Sequence, residues 1–351
     1  MEDRSQEIFS KYDLTIYNTY RTRGALLLEK DKGWKLLCSY EGGENRLEFE
    51  DALKRHIRTH GYPGVDSYVR NQTGSIISTN SLGEKYIMKD WYDGDECNLK
   101  KEDKVRLATE NLANLHQAMR NVYIPSEQQA GFEQSDLNGV FEKRTRELKR
   151  VKTYIRKQKQ KNNFEVQYLN VCEEFYKDAL NAMEQLQKIP YQQMRKDAVA
   201  GGMVSHGNYT YHNILIINRM SNVESLVSAA ELQKGYKKAV TTNFEKAEFG
   251  LQVADLYQFM RKVMEKNDWN ISLGEMILEE YQKVNQLSAD EFNLLSIMLL
   301  YPEKFWKITN FYFNNKKSWI PQKNVQKLLT IKEQVENKKK FLQNFGAVSN
   351  S

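Results

Sequence analysis

Residues 205–215 read Ser-His-Gly-Asn-Tyr-Thr-Tyr-His-Asn-Ile-Leu, and they concentrate the chain's most suggestive chemistry. His206 and Gly207 form a compact start, the amides Asn208 and Asn213 stand five residues apart, and an apolar run follows. A second polar segment, Thr242-Asn243-Phe244-Glu245, precedes Phe249-Gly250 and then Asp255-Leu256. Transfer of a phosphoryl group to a hydroxyl uses parts of this kind: a group that orients the hydroxyl and accepts its proton, oxygens that hold a divalent metal, and a cation on the phosphates. Asn208 can orient a hydroxyl but cannot take its proton. Asn213, Asn243 and Glu245 offer metal-ligating oxygens, although magnesium is usually held through carboxylates. His206 fits a hydrogen-bonded framework residue better than an acid or base.

These residues need elements to position them. A short helix over 1–12 leads to strands at 14–20, 24–28 and 34–40, the last two joined by Asp31-Lys32-Gly33. A helix fits 45–59, and strands resume at 68–69, 75–78 and 84–91 with Gly74 and Gly83 in hairpin connections. Beyond Tyr92-Asp93-Gly94 the periodicity turns helical: Val105, Ala108, Leu112, Leu115 and Met119 mark one stripe. Long helices fit 134–160 and 163–188, with short strands at 213–218 and 238–244, a polar stretch at 219–237, and helices to the end. The reading is an α+β chain of two lobes, a mostly antiparallel sheet lobe over 1–92 and a large helical lobe over 93–351.

Composition narrows the function classes. The chain has 351 residues, 40% hydrophobic and 11% aromatic, which suits packed cores and argues against disorder. A net charge of +6 is mild at this length and does not argue for nucleic acid. The densest basic run, Lys143 to Lys161, alternates with Phe141, Leu148, Val151 and Ile155 at helical spacing, so its cations decorate an outer face. Cys38, Cys97 and Cys172 are far apart, without a CxxC pair, which fits neither a disulfide framework nor a zinc site. No stretch approaches the roughly 18 uninterrupted apolar residues of a membrane helix, and the N-terminus carries no apolar signal region.

The 205–215 segment resembles the catalytic loop of aminoglycoside and choline kinase relatives, whose pattern is His-Gly-Asp, four residues, Asn, then an apolar strand. His206, Gly207 and Asn213 match; Asn208 stands where the catalytic Asp is expected. The 242–256 segment resembles the same proteins' metal-binding segment, with Glu245, Gly250, Asp255 and Leu256 in agreement and Asn243 where the metal-binding Asp is expected. Lys35, on the third strand, falls where these relatives place a phosphate-binding lysine, for which the resemblance implies Glu48 or Glu50 as a helical partner, and the single glycine of Tyr20-Arg21-Thr22-Arg23-Gly24 gives no support for a phosphate loop. The resemblance implies a protein-kinase-like fold with vestigial site residues.

It narrows further at the C-terminal end. Tyr301-Pro302-Glu303-Lys304-Phe305-Trp306-Lys307-Ile308 and Lys317-Ser318-Trp319-Ile320-Pro321 look like the CotS-type spore coat proteins of endospore-forming bacteria. So do Trp91-Tyr92-Asp93-Gly94 and the segment from Asp255 to Lys262. The resemblance spans about residues 10–345. It implies a structural or interaction component of the spore coat, synthesised in the mother-cell cytoplasm, with other coat proteins as partners and neither nucleic acid nor membrane. Asn208 and Asn243, standing where the catalytic and metal-binding Asp are expected, lead to the expectation of no phosphotransferase activity and no required cofactor, with ATP and magnesium as ligands if binding is retained. Two alternatives stay open: an atypical ATP-dependent small-molecule kinase, in which Asn208 positions the hydroxyl and Glu245 and Asn213 hold the metal, and a nucleotide-binding module without turnover.

Overall fold

The computed structural model describes residues 2–22, 24–30, 33–124, 130–217, 239–314 and 322–348. The 317–321 motif with Trp319, the polar stretch 219–237, Lys238, Arg23 and the turn residues Asp31 and Lys32 lie outside them. Two compact units form, one from residues 1–123 and 202–248, the other from 124–201 and 249–351. The boundary expected at residue 92 thus falls inside the first unit. The reason is a buried polar network tying the 205–215 segment to the chain before it: Asn111 donates to Tyr209 Oη and Thr241 Oγ1, both at 2.9 Å, and accepts from Tyr62 at 2.7 Å.

The first unit begins with α1 (Glu2–Phe9) and the strands β1 (Asn18–Thr22), β2 (Ala25–Lys30) and β3 (Gly33–Ser39). Helix α2 (Glu44–Thr59) follows, then β4 (Tyr68–Val69), β5 (Ile77–Thr79), β6 (Lys85–Trp91) and β7 (Gly94–Glu96). The main sheet is antiparallel, β1-β2-β3-β6-β4, with β5 also on β6. β4 and β5 both pair with β6 and not with each other, so Gly74 turns the chain without closing a hairpin ladder between them. Helix α3 (Glu102–Ala118) carries the stripe that the sequence places there, including Val105, Ala108, Leu112 and Leu115.

Because side chains alternate across a strand, register decides which residues of β3 and β6 share a face. Leu36 pairs with Lys89 and Cys38 with Ile87, so these four lie on one face. Ile87 and Cys38 pack there with Leu47 of α2, Tyr68 and Ile76. Leu37 and Met88 lie on the other face, against Ile8 of α1 and Tyr12. A second sheet of β10 (Ala239–Thr241), β9 (Ile214–Ile217) and β7 follows β8 (Val204–Ser205), and Leu215 and Val240 bury against Tyr92.

The second unit is helical: α4 (Leu137–Lys157), α5 (Asn163–Leu186), α6 (Tyr191–Ala200), α7 (Val253–Lys266), α8 (Ile271–Gln282), α9 (Ala289–Leu300), α10 (Glu303–Asn314), α11 (Gln322–Glu333) and α12 (Val335–Val348). The starts are legible in side chains. Asn162 and Glu165 form a reciprocal capping box before α5, and Ser288 and Glu291 form another before α9. The core joins Leu148, Val151 and Ile155 of α4 to Phe164, Tyr168 and Phe175 of α5, Phe305 and Ile308 of α10, and Leu328 and Ile331 of α11. Most cations of α4 face outward, as its apolar spacing requires, whereas Arg144 pairs with buried Glu303 and lies 4.1 Å from the centre of the Trp306 ring. Among the described residues no helix is long and apolar enough to cross a membrane.

Phe305 is 1% exposed and its ring lies 5.2 Å from that of Tyr168 and 4.6 Å from that of Phe175. Phe305→Ala is expected to destabilise the protein by about 3–5 kcal/mol. Denaturant unfolding checks this: the midpoint should fall with the slope unchanged, and a loss well under 1 kcal/mol would contradict the packing described.

Candidate functional site

The site lies within the first unit and starts from a glycine. Gly207 has φ +70°, and a Cβ there would meet the Lys246 carbonyl oxygen at 1.9 Å, so the 205–215 and 242–248 segments can approach only with glycine at 207. His206, fully buried, fixes the same approach. Its Nδ1 accepts from the Asn208 backbone N–H at 3.2 Å, which leaves Nε2 to donate to the Thr242 carbonyl at 3.0 Å. Its ring packs 4.6 Å from that of Phe244. His206 is therefore a framework residue in geometry. Asn243 sits at φ +63°, a left-handed conformation that Asn and Asp tolerate better than most residues.

The amides form a directed chain. Lys89 Nζ donates to Asn243 Oδ1 at 3.3 Å, Asn243 Nδ2 donates to Asn213 Oδ1 at 3.0 Å, and Asn213 Nδ2 donates to the Asn208 carbonyl at 2.9 Å. Lys89 also reaches Glu245 at 3.4 Å. Asn208, Asn213, Asn243 and Glu245 are thus brought together, as their places in the sequence motifs require. Asn208 contributes its backbone oxygen to this chain.

Behind the amides lies a buried ionic cluster. Asp66 is fully buried between Lys54 at 3.2 Å and Lys89 at 3.5 Å, and both ammonium groups are almost fully buried. Burial alone would raise the Asp66 carboxyl, but Lys54 and then Lys89 outweigh it and hold it below the ordinary carboxylate range. Burial lowers Lys54, whereas Asp66 and Glu245 together overcome burial at Lys89 and raise it. Lys54 also lies 3.9 Å from the centre of the Tyr68 ring, whose hydroxyl donates to Glu50 at 2.6 Å. Burial raises the Glu50 carboxyl. Arg46 lies 3.4 Å from its other oxygen.

Lys35 stands apart from this group. It pairs across the sheet with Asp90, on the face opposite Leu36, Cys38 and Lys89, and its ammonium is held by the Asp90 carboxylate. The pairing expected between Lys35 and Glu48 or Glu50 is corrected accordingly: Glu48 is exposed on α2, and Glu50 is buried with Tyr68 and Arg46. On β3 the inward positions are Leu36 and Cys38, so the strand presents no lysine to the site; the ammonium there is Lys89 of the neighbouring strand. Sequence reading missed Lys54, Asp66, Tyr68 and Lys89. The alternation of 84–91 holds the available signal, since Lys89 shares the buried face of Ile87.

These oxygens do not fit a divalent cation. The Asn243 oxygen and one Glu245 oxygen already accept from Lys89, and the Asn213 oxygen accepts from Asn243. An ammonium in contact with two of them would repel a metal. Among the described residues, no group of three or more His, Cys, Asp or Glu side chains could hold one.

Comparison with known proteins agrees with this architecture. Spore coat protein S of Bacillus subtilis strain 168 is 20% identical over 317 residues, which span 90% of this chain and 84% of that protein. The chain is similar to spore coat protein S along most of its length. Among solved structures, an aminoglycoside phosphotransferase from Alicyclobacillus acidocaldarius superposes with a TM-score of 0.83 at 17% identity, covering 97% of this chain and 95% of the other. A spectinomycin phosphotransferase crystallised with ADP and spectinomycin follows at TM-score 0.64 and 12% identity, covering 95% and 96%. No family model matches. The chain therefore carries the fold of kinase-like phosphotransferases, an antiparallel-sheet region followed by a large helical portion.

Asp66→Asn leaves two buried ammonium groups short of their shared partner and is expected to cost about 3–5 kcal/mol at neutral pH. The Asp66 carboxyl titrates below its unfolded value of about 3.9, so its stabilisation is complete above that pH and is lost as pH falls through the folded value. The stability gap between the parent protein and Asp66→Asn should therefore close on acidification below about pH 4. Urea midpoints measured across pH would contradict this if the gap stayed constant into strong acid.

Proposed function

We propose that this chain is a structural or interaction component of the bacterial endospore coat, built on a kinase-like fold and without phosphotransferase activity. The observation that carries the loss of activity is the run of amides from Asn208 through Asn213 to Asn243, with an ammonium at its end. No carboxylate stands at 208 to take a hydroxyl proton, a role whose loss costs about 10²–10⁴ in rate. No carboxylate stands at 243 to hold a metal, and Asn243 Oδ1, Asn213 Oδ1 and one Glu245 oxygen already accept hydrogen bonds. The coat assignment is supported by the likeness to spore coat protein S along 90% of the chain. On this reading the protein is made in the mother-cell cytoplasm, joins the coat, and has other coat proteins as its partners. Neither nucleic acid nor a membrane has a part in it.

Two experiments test the reading together. Purified protein with magnesium and ATP should form no phosphorylated product from aminoglycosides or amino alcohols above the buffer control. Asn208→Asp alone should stay at that background, because a restored base does not free the metal oxygens. The chain should also fractionate with the coat when spores are stripped. Phosphorylation of a small hydroxylated compound above background, or absence of the chain from the coat of spores that express it, would contradict the proposal.

A further inference from the structure

We propose that the Lys89 ammonium occupies the cation position of this site and that its presence, rather than the missing carboxylate alone, keeps divalent metal out. The inference deepens the reading above and rests on it. Lys89 is 1% exposed, yet its Nζ meets oxygens from two separated segments: Asn243 Oδ1 at 3.3 Å and Glu245 Oε1 at 3.4 Å from one, and Asp66 Oδ2 at 3.5 Å from the other. Three oxygens converging on one buried positive centre is what a hard cation receives from a protein, at the longer distances of an ammonium instead of the roughly 2.1 Å of magnesium.

The amide at 243 completes the argument. A carboxylate there would place an oxygen against Asn213 Oδ1 with no hydrogen between them, and a metal bridging the two would be the natural way to join them. Asn243 supplies that hydrogen itself, since its Nδ2 donates to Asn213 Oδ1 while its Oδ1 faces Lys89. Asn213 cannot reverse its amide without losing its bond to the Asn208 carbonyl. Asn243 and Lys89 are thus a matched pair: the amide replaces the metal's bridge, and the ammonium replaces its charge. Removing one without the other leaves the site unfit for metal.

The test is manganese binding followed by electron paramagnetic resonance, with four proteins: parent, Asn243→Asp, Lys89→Met, and the double variant. Lys54 remains on Asp66 at 3.2 Å when Lys89 is removed, so the buried carboxylate keeps a partner. The double variant is expected to bind manganese at least about tenfold more tightly than either single variant, the signature of two coupled positions. The parent should show no binding in this site. Manganese bound by Asn243→Asp alone as tightly as by the double variant would overturn the inference, because Lys89 would then not exclude metal. A folded double variant that binds no better than the singles would overturn it too. Should Lys89→Met fail to fold, Lys89→Gln with Asn243→Asp takes its place, and Asn243→Asp alone, with Lys89 intact, still decides: it must not bind. ATP turnover by the parent protein would instead defeat the functional reading, whatever the manganese result.

Discussion

The site depends on the direction of a single hydrogen-bond chain. Between Lys89 and the Asn208 carbonyl, the side-chain amides of Asn243 and Asn213 each accept on one side and donate on the other, so neither can flip without leaving a donor facing a donor or an acceptor facing an acceptor. At the buried positions of the chain, Asn213 and Lys89, a mismatch of that kind costs about 1–3 kcal/mol per unsatisfied group. The chain therefore adds side-chain bonds to the backbone bond from Thr242 N–H to the Asn213 carbonyl at 2.9 Å that already joins the 205–215 and 242–248 segments, with Gly207 permitting the close backbone approach and His206 bonding across it. A phosphotransferase site achieves the same closeness with carboxylates and metal ions. Here amides and an ammonium do so.

What holds the ammonium at the head of the chain is Asp66. A fully buried carboxylate is tolerable only with cations beside it, and Lys54 and Lys89 provide two. Glu245 and Glu50 then balance the excess positive charge, with Arg46 on Glu50. Three cations thus stand against three carboxylates, so the charges of the cluster balance one another. Buried ionic groups of this sort add little net stability compared with apolar packing, whereas removal of one partner is costly. Their consequence here is geometric: they fix where Lys89 ends.

Much of this was legible in the sequence. The spacing of His206, Gly207, Asn208 and Asn213, and of Asn243 with Glu245, marked the two segments that the structure joins, because loop geometry is tied to local residue types. The apolar stripes of α3 and α4 announced their buried faces directly. Lys35 was misplaced for a definite reason: on a strand, three positions separate it from Cys38, so the two point to opposite faces, and only register against β6 shows which face carries the site. Lys54, Asp66 and Lys89 come from a helix, a loop and a strand. Nothing in their local sequence reveals that they meet, since their encounter is set by the packing of α2 against the sheet. The pairing of β4 and β5 with β6 was hidden likewise, because ladder partners are chosen by long-range contacts.

The most direct measurement is a thermal-unfolding titration of the parent protein with ATP, with and without magnesium. A ligand at about 100 times its dissociation constant adds roughly 2.7 kcal/mol to stability, enough to move the midpoint visibly. An internally neutralised site predicts no shift at millimolar ATP, and magnesium should make no difference. A magnesium-dependent rise in the midpoint would contradict the account, since it would mean that the metal–nucleotide complex displaces Lys89 from the oxygens of Asn243 and Glu245.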